Sequence, residues 1–324
     1  MQIAQTVRAA YGVVGCLSLC ACTGNQSILN PAGRDASSIT TLFWLMVIVG
    51  GMIWLLLMSI AVYAVVGARR PKSEHFADRF IIGGGVIFPI VVLALLLVFG
   101  LSLLPGWAED DPADLRVHVS AEQYWWRVAY ETQGGRIESA NELHLPVDAT
   151  TEFALTSPDV IHSFWIPVLG GKMDAIPGRT NVLRLTPTKP GVYRGVCAEF
   201  CGASHALMAF DVVVHTKTDF AAWLAAQAMP ANLIAVGTNT FLAAGCAGCH
   251  TVRGVTELGS VGPDLTHFGT RRTLAAATLP NSPDALATWL ADPSAVKPGV
   301  HMPAFSMLPQ AERDALVAFL MALK

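Results

Sequence analysis

Two long runs without a charged residue, at positions 39–66 and 80–104, constrain the fold of this chain more than any other feature. An α-helix rises ~1.5 Å per residue, so each run is long enough to cross the ~30 Å hydrocarbon core of a bilayer. A soluble helix of that length would carry polar side chains along one face. We therefore predict two transmembrane helices, at residues 39–66 and 80–104.

The composition indicates the class of protein, and the charges between the two runs indicate how the hairpin is oriented in the membrane. Residues are 53% hydrophobic and 14% charged, as in membrane proteins, and the net charge of -3 excludes a nucleic-acid-binding surface. The short segment between the runs contains Arg69, Arg70, Lys72 and Arg79. Because positively charged loops stay in the cytoplasm, both ends of the hairpin are expected on the extracytoplasmic side of a bacterial inner membrane.

The first residues resemble an export signal. Arg8 precedes an apolar stretch, and Cys22 is followed by polar residues. We predict a signal peptide at residues 1–22 of the bacterial lipoprotein type, with Cys22 as the lipidated residue. An ordinary signal peptide and an uncleaved apolar leader are the alternatives.

Residues 107–218 change to short alternating segments separated by Gly and Pro turn signals, which is typical of a β-sandwich or barrel. Strands are predicted at 115–119, 125–130, 142–145, 152–155, 182–185, 191–196 and 210–215. A connector with a short helix at 220–227 follows, and residues 235–324 form a separate helical domain. Helices are predicted there at 283–290 and 310–322.

Sulfur and imidazole ligands are concentrated in one loop of the β region. Cys197, Cys201, His205 and Met208 fall within twelve residues, and His162 lies upstream at the end of a predicted strand. Thiolate, thioether and imidazole are the ligands that copper favours, and two cysteines four apart can bridge two metal ions. A reduced or disulfide-bonded pair beside a surface histidine is the alternative interpretation.

The C-terminal domain contains Cys246, Cys249 and His250 in a C-x-x-C-H haem c attachment motif. The two thiols add to the haem vinyl groups, and the adjacent histidine binds the iron. The following histidine and the lack of a βαβ pattern argue against a thioredoxin-like redox motif. Met302, in a Met-Pro context, is the predicted sixth ligand, with Met307 and His301 as alternatives.

At these residues the chain resembles subunit II of bacterial cytochrome c oxidases of the caa type, which carry a fused cytochrome c domain. The resemblance implies a membrane hairpin, a cupredoxin-like Greek-key barrel at 107–218, a linker at 219–234 and an all-α class I cytochrome c domain at 235–324. Pro263 is similar to the proline whose carbonyl orients the haem histidine in small c-type cytochromes.

The resemblance also implies roles for the loop residues. Cys197 and Cys201 would bridge the two ions of a binuclear copper A centre, and His162 and His205 would each bind one ion. Met208 would be a weak axial ligand and Glu199 would bind through its backbone carbonyl. The Glu199 carboxylate would face a magnesium site shared with the catalytic subunit.

A relay function follows from this resemblance. Electrons would pass from a cytochrome c or a cytochrome bc-type donor through haem c and copper A to oxidase subunit I, which associates with subunit III and reduces oxygen while protons are pumped. The chain itself would carry no oxygen-reducing site. A membrane-anchored carrier for another terminal reductase and a copper chaperone are the rival functions; a chaperone needs an open metal site and has no use for haem.

The chain departs from the family pattern at two places. A glutamate common near the start of the second membrane helix is missing here, so proton uptake is not assigned to this chain. The family's electron-accepting tryptophan falls near Tyr124 and Trp125, and core packing is the alternative role for these rings.

Overall fold

The computed structural model describes residues 24–67, 74–103, 112–231 and 237–324. The predicted signal peptide with Cys22 and the basic residues 69–72 lie outside the described residues. The chain forms two compact units: Ser37–Asp111 is one, and the other combines the residues up to Ala36 with those from Pro112 onward.

The membrane unit consists of helical segments with apolar surfaces. They are α1 (Arg34–Val66), α2 (Glu74–Ile82), a π-helical turn (Gly83–Ile87) and α3 (Phe88–Ser102). Arg34–Val66 and Glu74–Ser102 are each long and apolar enough to cross a membrane, and their most apolar stretches are not buried inside the protein. Both predicted helices are confirmed as helices. Each begins several residues earlier than predicted because polar residues add turns before the apolar run.

The other unit starts with ten β-strands in two five-stranded sheets. The strands are β1 (Leu115–Glu122), β2 (Trp125–Thr132), β3 (Gly135–Ala140), β4 (Glu142–Pro146), β5 (Thr151–Thr156), β6 (His162–Trp165), β7 (Met173–Ala175), β8 (Asn181–Leu185), β9 (Gly191–Cys197) and β10 (Ala209–His215). One sheet has the order β3-β2-β1-β5-β8 and the other β4-β10-β9-β6-β7.

A single apolar core joins these two sheets. Trp126, Tyr130 and Phe153 come from the first sheet, Phe164 and Phe210 from the second, and all five are fully buried. The Trp126 ring meets Phe164 and Phe210 edge to face, with ring centroids 5.6 and 5.2 Å apart, the geometry that aromatic quadrupoles favour. The predicted all-β, cupredoxin-like domain is confirmed.

Each of the seven predicted strands lies within an observed strand, and three of the ten strands of this domain were missed. β3 follows a Gly-Gly turn and carries charged residues, so its alternation is weak. β6 and β7 contain four and three residues, which is too short for a periodic pattern. His162 was expected just after a strand; it also opens β6, because that short strand pairs with β9.

The segment before α1 packs against this domain. Ala32 N donates to Val168 O at 2.8 Å, and Thr188 N donates to Ala32 O at 2.7 Å. A Cβ on Gly33 would stand 2.3 Å from Leu169 O, so only glycine permits this close backbone approach.

After β10 the chain is helical. The elements are α4 (Lys217–Ala228), α5 (Thr238–Ala243), β11 (Thr273–Leu274), β12 (Leu279–Pro280), α6 (Pro283–Ala291), α7 (Pro293–Val296) and α8 (Gln310–Ala322). The predicted helices at 220–227, 283–290 and 310–322 are confirmed. A second apolar cluster, centred on Phe241, Leu316 and Phe319, forms the core of the C-terminal part.

Candidate metal and haem sites

The sulfur and imidazole groups of the β domain lie at one end of the second sheet. Cys197 ends β9 and Met208 precedes β10. These strands are antiparallel neighbours, so the loop between them closes on itself, and Cys197 N donates to Met208 O at 2.9 Å. β6 pairs with β9 on the other side, with Phe164 opposite Cys197, which brings His162 to the same end.

Each thiol in this group has one imidazole beside it. The sulfurs of Cys197 and Cys201 are 3.8 Å apart. Nδ1 of His162 lies 3.8 Å from the Cys197 sulfur, and Nδ1 of His205 lies 3.6 Å from the Cys201 sulfur. His162, Cys197 and Cys201 are buried and close enough together to hold a metal ion.

Two further donors complete the group. The Met208 sulfur lies 3.8 Å from the Cys201 sulfur and is buried. The backbone carbonyl of Glu199 lies 3.2 Å from the Cys197 sulfur. Each sulfur therefore has one imidazole and one weaker donor beside it, so the group is arranged in two similar halves.

The two thiols differ in acidity. Burial would raise the pKa of Cys197, but hydrogen bonds with His162, with the backbone of Glu199 and Ser163 and with His205 together outweigh burial and lower the pKa to about 6. Burial and the neighbouring Cys197 charge raise the pKa of Cys201 to about 12. The first proton leaves the pair easily and the second does not, because two adjacent thiolates repel each other. A cation between the sulfurs would remove that repulsion.

Two side chains around the group hold its ligands in position. Asp159 accepts from Nε2 of His162 at 2.8 Å, which leaves Nδ1 free to face the sulfur. Gln123 donates from its side chain to Cys201 O at 2.5 Å, and its backbone N–H donates to Asp159 at 2.7 Å. Such partners fix the tautomer and orientation of a metal-binding histidine. Sequence analysis missed both residues, although the position of Asp159 three residues before His162 is a usable signal.

The Glu199 carboxylate is separate from its backbone carbonyl in its contacts. It is half-exposed and lies 3.8 Å from Nζ of Lys172. Among the described residues, the groups able to hold a metal include no cluster with this carboxylate.

In the C-terminal part, the haem attachment motif spans a short 3₁₀ turn, Cys246–Gly248, and His250 follows it. Nδ1 of His250 donates to Pro263 O at 2.8 Å, the contact that the resemblance implies. A Cβ on Gly262 would stand 2.5 Å from the His250 ring, so this loop lies directly against the imidazole. Burial lowers the pKa of His250, which favours the neutral form that binds iron.

The three candidates for the sixth iron ligand differ in burial. Met302 is half-buried and packs against the apolar cluster that also contacts Cys246. Met307 is 74% exposed and His301 is exposed. Only Met302 packs on the core from which a haem ligand has to project.

Both donor sets fit the groups that the sequence implies. The β-domain set is soft, mostly buried and preorganised, which suits copper. The helical set combines two free thiols with an oriented, neutral imidazole and an apolar cluster. When bound, such groups would supply one-electron transfer.

Residues 116–216 match the family of the cytochrome c oxidase subunit II periplasmic domain, and residues 234–324 match the cytochrome c family. The chain is 33% identical to cytochrome c oxidase subunit 2 of Alkalihalophilus pseudofirmus over 328 residues, covering 95% of this chain and 94% of the relative. It is 30% identical to the protein of the same name from Bacillus subtilis, covering 92% of each.

A solved structure is also similar. The periplasmic domain of cytochrome oxidase subunit II from Bradyrhizobium japonicum has 32% sequence identity, and the match covers 36% of this chain and 95% of that one. The TM-score is 0.35.

Proposed function

Because the chain belongs to the cytochrome c oxidase subunit 2 family, we propose that it carries single electrons from an external donor through covalent haem c and a two-copper centre to oxidase subunit I. As a family member it is a subunit of an oxidoreductase complex, associates with other oxidase subunits, and uses copper and haem c. Its apolar helices anchor it to the membrane, with the copper domain outside.

The observation that carries the two-copper proposal is the pairing of thiols and imidazoles. With Cys197 and Cys201 3.8 Å apart and one histidine beside each, two ions between the sulfurs would have equivalent surroundings. Equivalent surroundings change little when one electron is added, which suits an electron carrier. The proposed copper ligands are His162, Cys197, Glu199 through its carbonyl, Cys201, His205 and Met208.

The haem assignment rests on the attachment motif and on the orientation of its histidine. Cys246 and Cys249 would form the thioether bonds, and His250 and Met302 would bind the iron. The apolar cluster around Phe241 would cover the ring and keep water from it. A Met/His pair raises the haem potential, as a carrier upstream of an oxidase requires.

The remaining assignments follow from the sequence and from the family. We propose a copper domain at 107–218, a linker at 219–234, a cytochrome domain at 235–324, two membrane crossings and lipidation at Cys22. Oxidase subunits I and III would be partners, with a cytochrome c or bc-type donor. A magnesium ion could lie between Glu199 and subunit I.

Electron paramagnetic resonance of the purified complex tests this proposal. We expect the hyperfine pattern of two equivalent copper nuclei, together with the optical spectrum of a low-spin c-type haem. The pattern of a single copper nucleus, or the loss of copper during purification, would contradict the two-copper assignment. Co-purification of this chain with a large polytopic haem protein tests the partner.

A further inference from the structure

The segment 297–300 of the helical part lies directly on the copper domain. Lys297 is 1% exposed although it is a lysine. Its Nζ donates to Tyr124 O at 2.6 Å and to Ala275 O at 3.1 Å. Among the described residues, no carboxylate lies within ion-pair distance of this nitrogen.

Burying an amine without hydrogen-bond acceptors costs free energy. The Lys297 side chain is therefore stable in this position only because the carbonyls of Tyr124 and Ala275 accept from it. One acceptor belongs to the copper domain and the other to the helical part, and both are reached only when the two parts are together. Burial lowers the pKa of Lys297 to about 7. Its neutral form has two N–H donors, which matches the two carbonyls.

The residues after Lys297 contact the copper-ligand loop, which is the loop at 197–208 that contains the proposed cysteine ligands. Ser204, between Cys201 and His205, donates its hydroxyl to Pro298 O at 2.6 Å. Gly299 has φ +83° and lies under the Tyr124 ring, where a Cβ would stand 3.3 Å from the ring.

The contact continues through both partners. The Tyr124 hydroxyl accepts from Ala203 N at 3.0 Å in the copper-ligand loop. Val300 packs on the copper-domain core. The proposed iron ligand Met302 is two residues further along, so the two ligand loops are in direct contact.

A turn with left-handed backbone conformations makes a second contact between the helical part and the copper domain. Ala275, Ala276 and Ala277 all have positive φ values of 54° to 58°. This conformation is unfavourable for alanine and persists only where contacts hold it. Ala276 O accepts from Ala209 N at 3.3 Å and Ala277 O accepts from Arg194 at 3.3 Å.

Side chains at both ends of this turn also donate hydrogen bonds to the copper domain. Thr278 donates to Leu207 O at 3.1 Å, and Thr273 donates to the Asp211 carboxylate at 2.6 Å. Lys297 connects the two contacts. It is the first residue of segment 297–300, and its Nζ donates to Ala275 O in the alanine turn.

We propose that the haem domain is fixed in one orientation on the copper domain and that Lys297 is the residue that positions it, setting the Met302 loop against the copper-ligand loop. The identity of the two centres rests on the proposed function. Tyr124, which is 7% exposed and lies against Gly299, is thereby closed to a separate donor protein.

The electron step served by this contact is simple. With haem and copper held by the residues named above, one electron would pass between them, so that the haem would be oxidised by one electron and the copper pair reduced by one. No bond forms or breaks. Lys297 and Ser204 contribute only geometry, because transfer between fixed centres depends steeply on their separation.

Hydrogen exchange measured by mass spectrometry on the intact oxidase tests the docking. Lys297→Met keeps the side-chain length and removes the donors, and exposed Lys217→Met is the matched control. We expect exchange at residues 120–126, 201–206 and 272–279 to be at least tenfold faster in Lys297→Met and unchanged in Lys217→Met. Unchanged exchange in Lys297→Met, or equal acceleration in the control, would overturn the proposal.

Flash-induced electron transfer from haem to copper gives a second measurement. We expect Lys297→Met to slow it at least tenfold while the copper resonance and haem spectra stay normal. Ser204→Ala, which removes one hydroxyl, decides the matter if Lys297→Met does not assemble; an unchanged rate and unchanged exchange there would reject the docking. Absence of the two-copper resonance in the unmodified complex would instead overturn the proposed function and leave the docking result intact.

Discussion

The indole of Trp223, from the helix that follows the last strand of the copper domain, lies flat on the imidazole of His144, with ring centroids 3.9 Å apart and planes 8° apart. Trp223 also meets Tyr130 edge to face at 5.1 Å. This stacking fastens α4 to the copper domain, so the proposed linker begins with a segment that is firmly packed.

Replacing Trp223 with alanine should destabilise the copper domain by about 3 kcal/mol, because a large ring leaves a cavity over His144 and Tyr130. The thermal midpoint at which copper absorption disappears measures this loss. Trp223→Phe, which keeps one ring in place, should lose less than half as much. Equal midpoints for Trp223→Ala and the unmodified protein would show that α4 does not need this stacking.

A lower pH should destabilise the region around His144. His144 lies 2.8 Å from a Glu142 oxygen through Nε2 and 2.7 Å from Nε2 of His215 through Nδ1. Burial and the neighbouring His144 lower the pKa of His215. Burial would raise the pKa of Glu142, but the hydrogen bond and charge of His144, the backbone N–H of Arg272 and the charge of Arg271 together outweigh burial, so the pKa falls.

Both groups therefore bind fewer protons in the folded chain than in the unfolded chain. Stability should fall as the pH drops below ~6.5, where unfolded histidine takes up its proton, and again below ~4.3 for the glutamate. Thermal midpoints measured across this range should decline, and His215→Gln should flatten the first decline only. A first decline of equal size in His215→Gln would assign it to other groups.

Removing the carboxylate behind His162 should weaken copper binding. In Asp159→Asn the amide cannot accept from Nε2 of His162 as strongly, so the imidazole is less firmly oriented, and copper affinity should fall about 10–100-fold. Competition with a copper chelator measures this. The exposed Asp284→Asn is the control and should bind copper normally. Full affinity in Asp159→Asn would mean that the β6 backbone alone orients His162.

The sixth haem ligand can be identified with two matched variants. Met302→Ala should lower the haem potential by at least ~0.1 V, part of the ~0.8 V range that axial ligands span. Met307→Ala should leave the potential unchanged, since that side chain is 74% exposed. Redox titration of the haem absorption distinguishes them, and a fall in Met307→Ala alone would reassign the ligand.

Much of this architecture could be predicted from the sequence because its signals are local. The haem motif, the copper-ligand loop and the apolar helices each lie within one short stretch, where spacing alone is informative. The three missed strands are short or polar, so they carry little alternation. The prediction of His162 came from the need for a second histidine and from the family resemblance. The pairing of β6 with β9 explains why His162 lies beside a loop 35 residues further along the chain.

The contacts between the copper and haem domains could not be predicted in this way. Lys297 reaches a carbonyl 173 residues earlier in the chain, and a lone lysine before a proline has no local pattern. Its burial depends on where two domains meet, which no periodicity records. The left-handed alanine turn is equally hidden, because alanine favours helices in isolation.

The haem domain meets its neighbour largely through main-chain oxygens. Arg127, Ser204 and Arg194 of the copper domain donate to the carbonyls of Ser260, Pro298 and Ala277. A carbonyl is the same in every residue, so side-chain replacement on the haem side leaves these acceptors in place. Inserting or deleting one residue would move each following carbonyl by ~3.8 Å and break the match. For these three contacts loop length therefore matters more than residue identity, whereas Lys297 contributes through its side chain.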